Sequence, residues 1–351
     1  LENGIICTMD KQAEIREIIE SSNINFLIGA GISDPFLPLL QSIETRLTAE
    51  QDEKKRIPIY KEYFEKVMCP NLDVIDNTVD KSVGSNFQIT YGRYKDFFES
   101  ISHILLRRKS TILSKQANLF TTNIDVMMET VMEDSNLDYN DGFSGKLNPT
   151  FSLSNFKRSI LKRSLHFENV SEIPVINLIK VHGSLTWNKG PESISLSKLT
   201  HFSKDLLSVN DSDFKIGYDK IAVVNPEPKK FKETVIDLTY YELLRMYSSE
   251  LEKENSVLFV MGFSMADQHI REITIRSADS NPTLKIYIFC HSKSRLAEME
   301  AIMNVGQLKY SNIEIIAPED DQESNKYNLG KINEVFFARV ASIKKDDISE
   351  K

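Results

Sequence analysis

Cysteine is scarce in this sequence: three occur among 351 residues, and they lie far apart at Cys7, Cys69 and Cys290. This excludes a disulfide framework and a zinc site built from C-x-x-C pairs, and it is typical of the reducing cytoplasm. Long apolar runs are also missing, since none approaches the roughly 20 residues that cross a bilayer. No signal-peptide pattern opens the chain. We therefore expect a cytoplasmic protein with no membrane contact.

An excess of positive charge is absent as well. The chain has 43 basic and 51 acidic residues, a formal net charge of -8. Proteins that coat nucleic acid are strongly basic, so we expect no direct nucleic-acid binding. No internal repeat or long low-complexity linker divides the chain. We predict a single domain over 1–345, with a mostly helical insertion at about 40–110, a loop-rich insertion at about 188–219 and a tail at 346–351.

Apolar runs alternate with segments of helical periodicity along the chain. The runs predict strands at 24–28 and 117–121, then one ending near Val181, and others at 220–226, 256–264, 283–290 and 313–318. Helices are predicted at 11–21, from Asp125 onward, and at 234–252, 265–276, 293–303 and 328–342. This alternation is typical of an α/β protein with a Rossmann-like, doubly wound parallel sheet. Ligands of such sheets bind beyond the carboxyl ends of the strands.

The first strand runs into Gly29-Ala30-Gly31-Ile32-Ser33. Glycines at this place let the backbone approach a pyrophosphate, although they also form ordinary tight turns. The third glycine of the G-x-G-x-x-G fingerprint is missing, because Asp34 takes its place. The acidic residue that a dehydrogenase needs ~20 positions on falls in a charged stretch with no strand before it. Hydride transfer is therefore disfavoured.

Polar residues follow the next two predicted strands. Thr122, Asn123 and Asp125 come after the second strand, where such residues either cap the next helix or face a ligand crevice. His182 and Gly183 come after the third. A histidine in this position is either a packed, hydrogen-bonded side chain or a general base.

Gly262, Ser264 and Asp267 follow a later strand. The Ser-x-x-Asp spacing is typical of a helix capping box. A glycine-flanked turn at a strand end also suits contact with a ribose or an adenine. Both interpretations can hold at once.

These motifs, taken in order, resemble those of the sirtuin family of NAD-dependent enzymes (silent information regulator 2-like). The motifs are Gly-Ala-Gly-x-Ser, Thr-x-Asn-Ile-Asp, His-Gly-Ser and Gly-Phe-Ser-x-x-Asp. The resemblance covers most of the chain, from about Ile24 to Ile270. Residues 223–231 are similar to a proline- and lysine-containing segment of the bacterial branch of that family.

Two features of sirtuin deacylases are missing. Deacylases follow the glycine loop with a Gly-Ile-Pro-Asp-Phe-Arg type sequence, whereas residues 34–38 read Asp-Pro-Phe-Leu-Pro. Deacylases also carry a zinc module with two C-x-x-C pairs, whereas residues 183–225 contain no cysteine. What is retained resembles the sirtuin-like effector domains of bacterial anti-phage defence, which hydrolyse NAD.

The resemblance implies a metal-independent NAD glycohydrolase that cleaves the nicotinamide–ribose bond and depletes NAD in abortive infection. It implies catalytic roles for Asn123, His182 and Asp125. The residues implied to bind NAD are Gly29, Ala30, Gly31, Ser33, Thr122, Gly262, Ser264 and Asp267.

The resemblance also implies control of the enzyme, because an uncontrolled NAD hydrolase would kill its host. We expect a homo-oligomer, or a protein partner such as a HerA-type ATPase or an Argonaute-like protein. Two alternatives to the NAD hydrolase stay open. One is an NAD-dependent protein deacylase or ADP-ribosyltransferase, and the other is a non-catalytic module that senses NAD or ADP-ribose.

Overall fold

A computed structural model of the chain describes residues 2–38, 41–108, 112–163, 169–190, 193–196, 203–223 and 235–342. The segment similar to bacterial sirtuins lies outside the described residues from position 224 on, as does the predicted tail. Among the described residues, no helix is both long and apolar enough to cross a bilayer.

The described residues contain fourteen strands. They are β1 Asn23–Ile28, β2 Gln116–Thr121, β3 Tyr139–Asn140, β4 Phe143–Ser144, β5 Thr150–Phe151, β6 Leu161–Arg163, β7 Val170–Glu172, β8 Val175–Lys180, β9 Gly183–Lys189, β10 Ile194–Leu196, β11 Ile221–Val223, β12 Ser256–Met261, β13 Leu284–Phe289 and β14 Ile313–Ile316. Seven of them form one sheet in the order β14-β13-β12-β1-β2-β8-β3, and every pair of neighbours in it is parallel.

The described residues also contain twelve α-helices. They are α1 Glu2–Ser21, α2 Gln41–Ala49, α3 Glu53–Tyr63, α4 Cys69–Ile75, α5 Asn86–Arg107, α6 Met127–Asp134, α7 Asp211–Tyr218, α8 Val235–Glu252, α9 Gln268–Ser280, α10 Leu296–Ile302, α11 Leu329–Ile332 and α12 Ala338–Ser342. A π-helical turn joins α3 to α4, and another joins α11 to α12.

Helices cover both faces of the large sheet, because its strands carry apolar side chains on both sides. One face packs Phe26 against Phe97 of α5, and Phe259 stacks on Phe26. The other packs Phe120 against Tyr247 of α8, with ring centroids 5.0 Å apart. The predicted α/β fold with a Rossmann-like, doubly wound parallel sheet is confirmed.

A second sheet was not predicted. It has the order β11-β9-β10-β5-β4, and its strand pairs are antiparallel. The third predicted strand ends at Lys180, and after Val181 and His182 the chain enters β9 of this second sheet. Helix α6 begins at Met127 and not at Asp125. The segment predicted as loop-rich contains the helix α7 and the strand β10 as well as loops.

Candidate functional site

The carboxyl edge of the large sheet collects the four polar motifs, because β1, β2, β8 and β12 are parallel and all end there. Thr121 of β2 lies opposite Lys180 of β8 in the register. Asn123 lies two residues after Thr121, and His182 lies two residues after Lys180. The two residues therefore occupy equivalent positions beyond the ends of neighbouring strands. Neighbouring strands lie about 5 Å apart. The two loops are also joined directly, since the N–H of Leu185 donates to the carbonyl of Ile124 at 3.1 Å.

The glycine loop after β1 packs directly on the turn after β12. A Cβ at Gly29 would lie 2.5 Å from the carbonyl oxygen of Gly262. Gly262 has φ +60, and a Cβ there would lie 2.6 Å from the backbone nitrogen of Ile32. Both positions therefore require glycine for close backbone packing. This contact holds the loop after β1 against the turn after β12.

We expect Gly29→Ala to destabilise the fold by about 1–3 kcal/mol, because backbone atoms of Gly262 and Phe263 would have to move. Urea unfolding measures this difference. Gly92→Ala is the matched control: Gly92 lies in α5 with no atom within 4 Å of a Cβ, so alanine should raise stability slightly. Equal stability of the Gly29→Ala variant and the parent would contradict the packing described here.

The N–H groups of the glycine loop are mostly used within the protein. Gly29 N–H donates to Met261, and Gly31 N–H donates to Gly262, each at 3.0 Å. The N–H groups of Ile32 and Ser33 close a 3₁₀ turn. In this loop the described residues show no acceptor for the N–H of Ala30. Phosphate binding by Gly29, Ala30, Gly31 and Ser33 stays a prediction. A phosphate there has to accept from the Ala30 N–H, or from N–H groups that also donate to these backbone carbonyls.

Ser33, Asn123 and Asp125 form one buried hydrogen-bonded cluster. The Ser33 hydroxyl donates to the Asp125 carboxylate at 3.0 Å. The Asn123 amide nitrogen lies 3.2 Å from the Ser33 hydroxyl and 3.3 Å from the Gly29 carbonyl. Asp125 also accepts from the N–H of Met127, as a capping residue would. The structure thus joins the first two motifs and gives Asp125 both a structural contact and a place in the site.

Tyr94 of α5 completes this cluster from the helical insertion. Its hydroxyl lies 3.2 Å from that of Ser33, and its side chain is fully buried. Burial, together with the Asp125 carboxylate, raises the pKa of Tyr94 well above its ordinary value, so the phenol stays protonated. Tyr94 was not predicted to belong to the site, because a tyrosine inside a helical apolar pattern is typical of a core residue.

The amide oxygen of Asn123 is buried and has no hydrogen-bond partner among the described residues. Leaving such a group without a donor costs about 1–3 kcal/mol. The amide nitrogen is already committed to Ser33 and Gly29. This oxygen is therefore an unsatisfied acceptor inside the cluster.

Lys180 holds the loop that carries Asn123 and Asp125. Its side chain is 2% exposed, and the ammonium donates to the backbone carbonyl of Asp125 and pairs with Glu129 of α6 at 2.6 Å. Burial acts to raise the pKa of Glu129 and outweighs the opposing effect of Lys180. Lys180 was not predicted, although a lysine at the end of a buried parallel strand is a signal that the sequence contains.

His182 pairs with Asp267, although 85 residues and two strands separate them. Their contacting atoms, Nε2 and Oδ2, are 3.1 Å apart. The ring of Tyr240 on α8 lies against the imidazole, with centroids 5.5 Å apart. Burial and the adjacent Asp267 carboxylate raise the pKa of this phenol. Asp267, predicted to contact adenosine, thus orients the predicted base, and neither it nor Tyr240 was identified in that role.

The Asp267 carboxyl also caps α9, since its second oxygen accepts from the N–H of Ile270 at 3.1 Å. The predicted capping box is therefore wrong: Asp267 is itself the N-cap, and Ser264 lies outside the helix and is exposed. Burial alone would raise the pKa of Asp267. Its bonds to His182 and Ile270 outweigh burial and hold that pKa below its ordinary value.

A carboxyl group whose pKa falls on folding stabilises the fold at pH values above its unfolded pKa of about 3.8. This contribution is lost as the pH falls through the pKa of the folded state. We expect Asp267→Asn to be less stable than the parent at pH 6, with a difference that shrinks below pH ~4. Asparagine remains a good N-cap, so the change isolates the charge. Urea unfolding at several pH values measures it, and a difference independent of pH would contradict this assignment.

The sequence profile of the SIR2-like domain family matches residues 117–316, more than half of the chain. The chain belongs to the SIR2-like domain family. Members of this family are NAD-dependent enzymes, so NAD is the ligand to test against the carboxyl edge. A comparison with curated proteins gives no match.

The geometry suits this SIR2-like assignment at several points. The match begins in β2 and ends in β14, so it includes the loops with Asn123, His182 and Asp267. The glycine loop lies before the matched region but packs on Gly262 inside it. No cluster of three His, Cys, Asp or Glu side chains that could hold a metal occurs among the described residues.

Proposed function

We propose that this SIR2-like domain is an NAD glycohydrolase that depletes NAD as an effector of bacterial anti-phage defence. The observation that carries the proposal is the carboxyl edge itself. There, the buried amide oxygen of Asn123 has no partner among the described residues. His182, paired with Asp267, occupies the equivalent position after the neighbouring strand.

Hydrolysis of NAD requires the protein to orient the substrate and the water and to accept one proton. Water attacks C1′ of the nicotinamide ribose, the C1′–N bond breaks, and nicotinamide leaves as a neutral molecule. The transition state resembles an oxocarbenium ion, as in glycoside hydrolysis. One proton of the attacking water stays in the new hydroxyl of ADP-ribose, and the other must go to a base. The products are nicotinamide and ADP-ribose.

His182 is the base in this proposal. Its Nε2 lies against the ionised Asp267 carboxylate and donates to it. A hydrogen bond of this kind fixes which ring nitrogen carries the proton. The Nδ1 atom of the neutral ring then remains to accept the proton from water. Asp267 acts through His182 as a positioning residue, as the carboxylate does in Ser-His-Asp sites.

Asn123 orients the water or a ribose hydroxyl through its amide oxygen. The hydrogen bonds to Ser33 and Gly29 hold the amide in place, so orientation costs little when a ligand binds. Asp125 lies behind Ser33 and supplies negative charge near the developing cation. Thr122, Gly262 and Ser264 stay predicted contacts of the NAD molecule.

Water is a better candidate acceptor than an acyl-lysine, because residues 183–225 contain no cysteine for the zinc module of deacylases. We also propose that a homo-oligomer or a partner protein controls the activity, since uncontrolled NAD hydrolysis would harm the host.

Incubation of the purified protein with NAD, with and without an acetylated lysine peptide, tests the proposal. We expect equal release of nicotinamide in both reactions and free ADP-ribose in matching amount. Release that requires the peptide would show a deacylase. Binding of NAD without release, under every condition that changes the oligomeric state, would show a sensor.

A further inference from the structure

The Ser33 hydroxyl lies at the centre of the buried cluster and is hydrogen-bonded in three directions. It donates to the Asp125 carboxylate at 3.0 Å and accepts from the Asn123 amide nitrogen at 3.2 Å. The hydroxyl of Tyr94 lies 3.2 Å away on a third side. A serine hydroxyl has one hydrogen and two lone pairs. Because the hydrogen is already used on Asp125, Tyr94 must donate to Ser33.

Ser33 therefore has no hydrogen-bonding capacity left for a ligand. Its O–H is used on Asp125, and its two lone pairs accept from Asn123 and Tyr94. Its backbone N–H donates to the carbonyl of Ala30 at 3.1 Å. The residue is 1% exposed. A direct contact between the Ser33 side chain and NAD, which the family resemblance implies, would have to break one of these buried bonds.

The same bonds fix the orientation of the Asn123 amide. Its nitrogen donates to Ser33 and also to the Gly29 carbonyl, the latter at 3.3 Å. Reversing the amide would put its oxygen against the Gly29 carbonyl, and two acceptors would face each other. Ser33 could not compensate with a hydrogen of its own. A hydroxyl that accepts from both Asn123 and Tyr94 can donate only toward Asp125.

Tyr94 reaches this cluster from the helical insertion and not from the sheet. It lies in the middle of α5, and its ring stacks on that of Phe98 with centroids 5.8 Å apart. Burial raises the pKa of the phenol well above its ordinary value, so the hydroxyl stays a donor at neutral pH. The packing of α5 therefore places one buried donor on Ser33.

We propose that Tyr94 and Ser33 are positioning residues, which hold the Asn123 amide in the orientation that NAD cleavage requires. Their hydroxyls do not contact NAD. The inference rests on the proposed NAD hydrolase, and it gives Ser33 an indirect role in place of the direct contact that the resemblance implies. It also makes α5 of the helical insertion a part of the site.

Steady-state kinetics of Tyr94→Phe with NAD test the role of Tyr94. The change removes one hydroxyl and keeps the ring. We expect kcat to fall about tenfold and KM to stay within about threefold of the parental value, because a loosened amide misplaces the reacting groups. Tyr91→Phe is the control: Tyr91 lies one turn earlier in α5, and its hydroxyl donates to Asp134 at 3.1 Å at the surface. Its kcat should be parental, and a parental kcat for Tyr94→Phe would overturn the proposal.

Ser33→Ala separates positioning from direct binding of NAD. A positioning role predicts that kcat falls about tenfold or more while KM changes little. A contact between the hydroxyl and a phosphate predicts a raised KM with an unchanged kcat. The second result would overturn the role of Ser33.

A double-mutant cycle tests the hydrogen-bond chain without turnover. Urea unfolding is measured for Tyr94→Phe, for Asn123→Ala and for the double variant. Because both bonds end on Ser33, we expect the double variant to be less destabilised than the sum of the single changes. Tyr91→Phe combined with Asn123→Ala should be additive. Additivity for Tyr94 and Asn123 would overturn the proposal, whereas coupling in a protein that does not cleave NAD would support the positioning of Asn123 and count against the proposed function.

Discussion

Replacing His182 by alanine is expected to lower kcat for nicotinamide release by about 10²–10⁴-fold, the usual contribution of a positioned general base. The imidazole is partly exposed, with 20% of its side chain accessible, so its loss leaves no closed cavity in the core. The fold should therefore be retained. Steady-state kinetics with NAD measure the effect, and circular dichroism checks the fold.

His103→Ala is the matched control for this variant. His103 is an exposed histidine on α5 and belongs to neither part of the site. Its replacement should leave kcat unchanged. Asp267→Asn should lower kcat more than it changes KM, because it disturbs the orientation of His182. A His182→Ala variant with near-parental turnover would remove the base from the mechanism.

Asn123→Ala is the second change with a large expected effect. We expect kcat to fall about 10²–10³-fold, similar to the loss of one preorganised group that stabilises a transition state. The loss follows because the buried amide oxygen is the acceptor that orients the water or the ribose. The variant also loses the bonds to Ser33 and Gly29, each worth about 1 kcal/mol, so a modest fall in stability accompanies it.

Asn148→Ala separates loss of the group from a general effect of the substitution. Asn148 is exposed and takes no part in the hydrogen-bonded cluster around Asn123, so its replacement should change neither stability nor turnover. Asn123→Ala with parental kcat and a raised KM would show that this amide contributes uniform binding only.

Most of the large sheet was predictable, because its central strands are buried on both faces; the two-residue edge strand β3 was not predicted. Strands such as β12, in which every residue is buried, appear in the sequence as continuous apolar runs. The second sheet was not predictable in the same way. Four of its strands, β4, β5, β10 and β11, have two or three residues, too few for a period of two to be recognised.

The site was predictable only in part. Gly29, Asn123 and His182 follow apolar runs, so their place at a strand end could be inferred from local sequence. Their partners could not, because partners depend on strand order. The bond between His182 and Asp267 spans loops after β8 and β12, which β1 and β2 separate. The sequence contains no local signal for that order.

Tyr94 and Tyr240 were missed for a related reason. Both lie in helices and continue an apolar stripe, so their spacing predicts core and nothing more. Only the packing of α5 and α8 on the sheet brings their hydroxyl-bearing rings to the carboxyl edge. For Ser264 the local pattern was misleading. Its spacing to Asp267 indicated a capping box, but α9 begins after Asp267, which is itself the N-cap.

A crystal structure of the His182→Ala variant with NAD tests the central claim most directly. The claim is that Asn123 and His182 serve one nicotinamide ribose. We predict that C1′ or a hydroxyl of this ribose lies within about 3–4 Å of the Asn123 amide oxygen, on the side vacated by the imidazole. NAD bound with its nicotinamide ribose away from both positions would contradict the account.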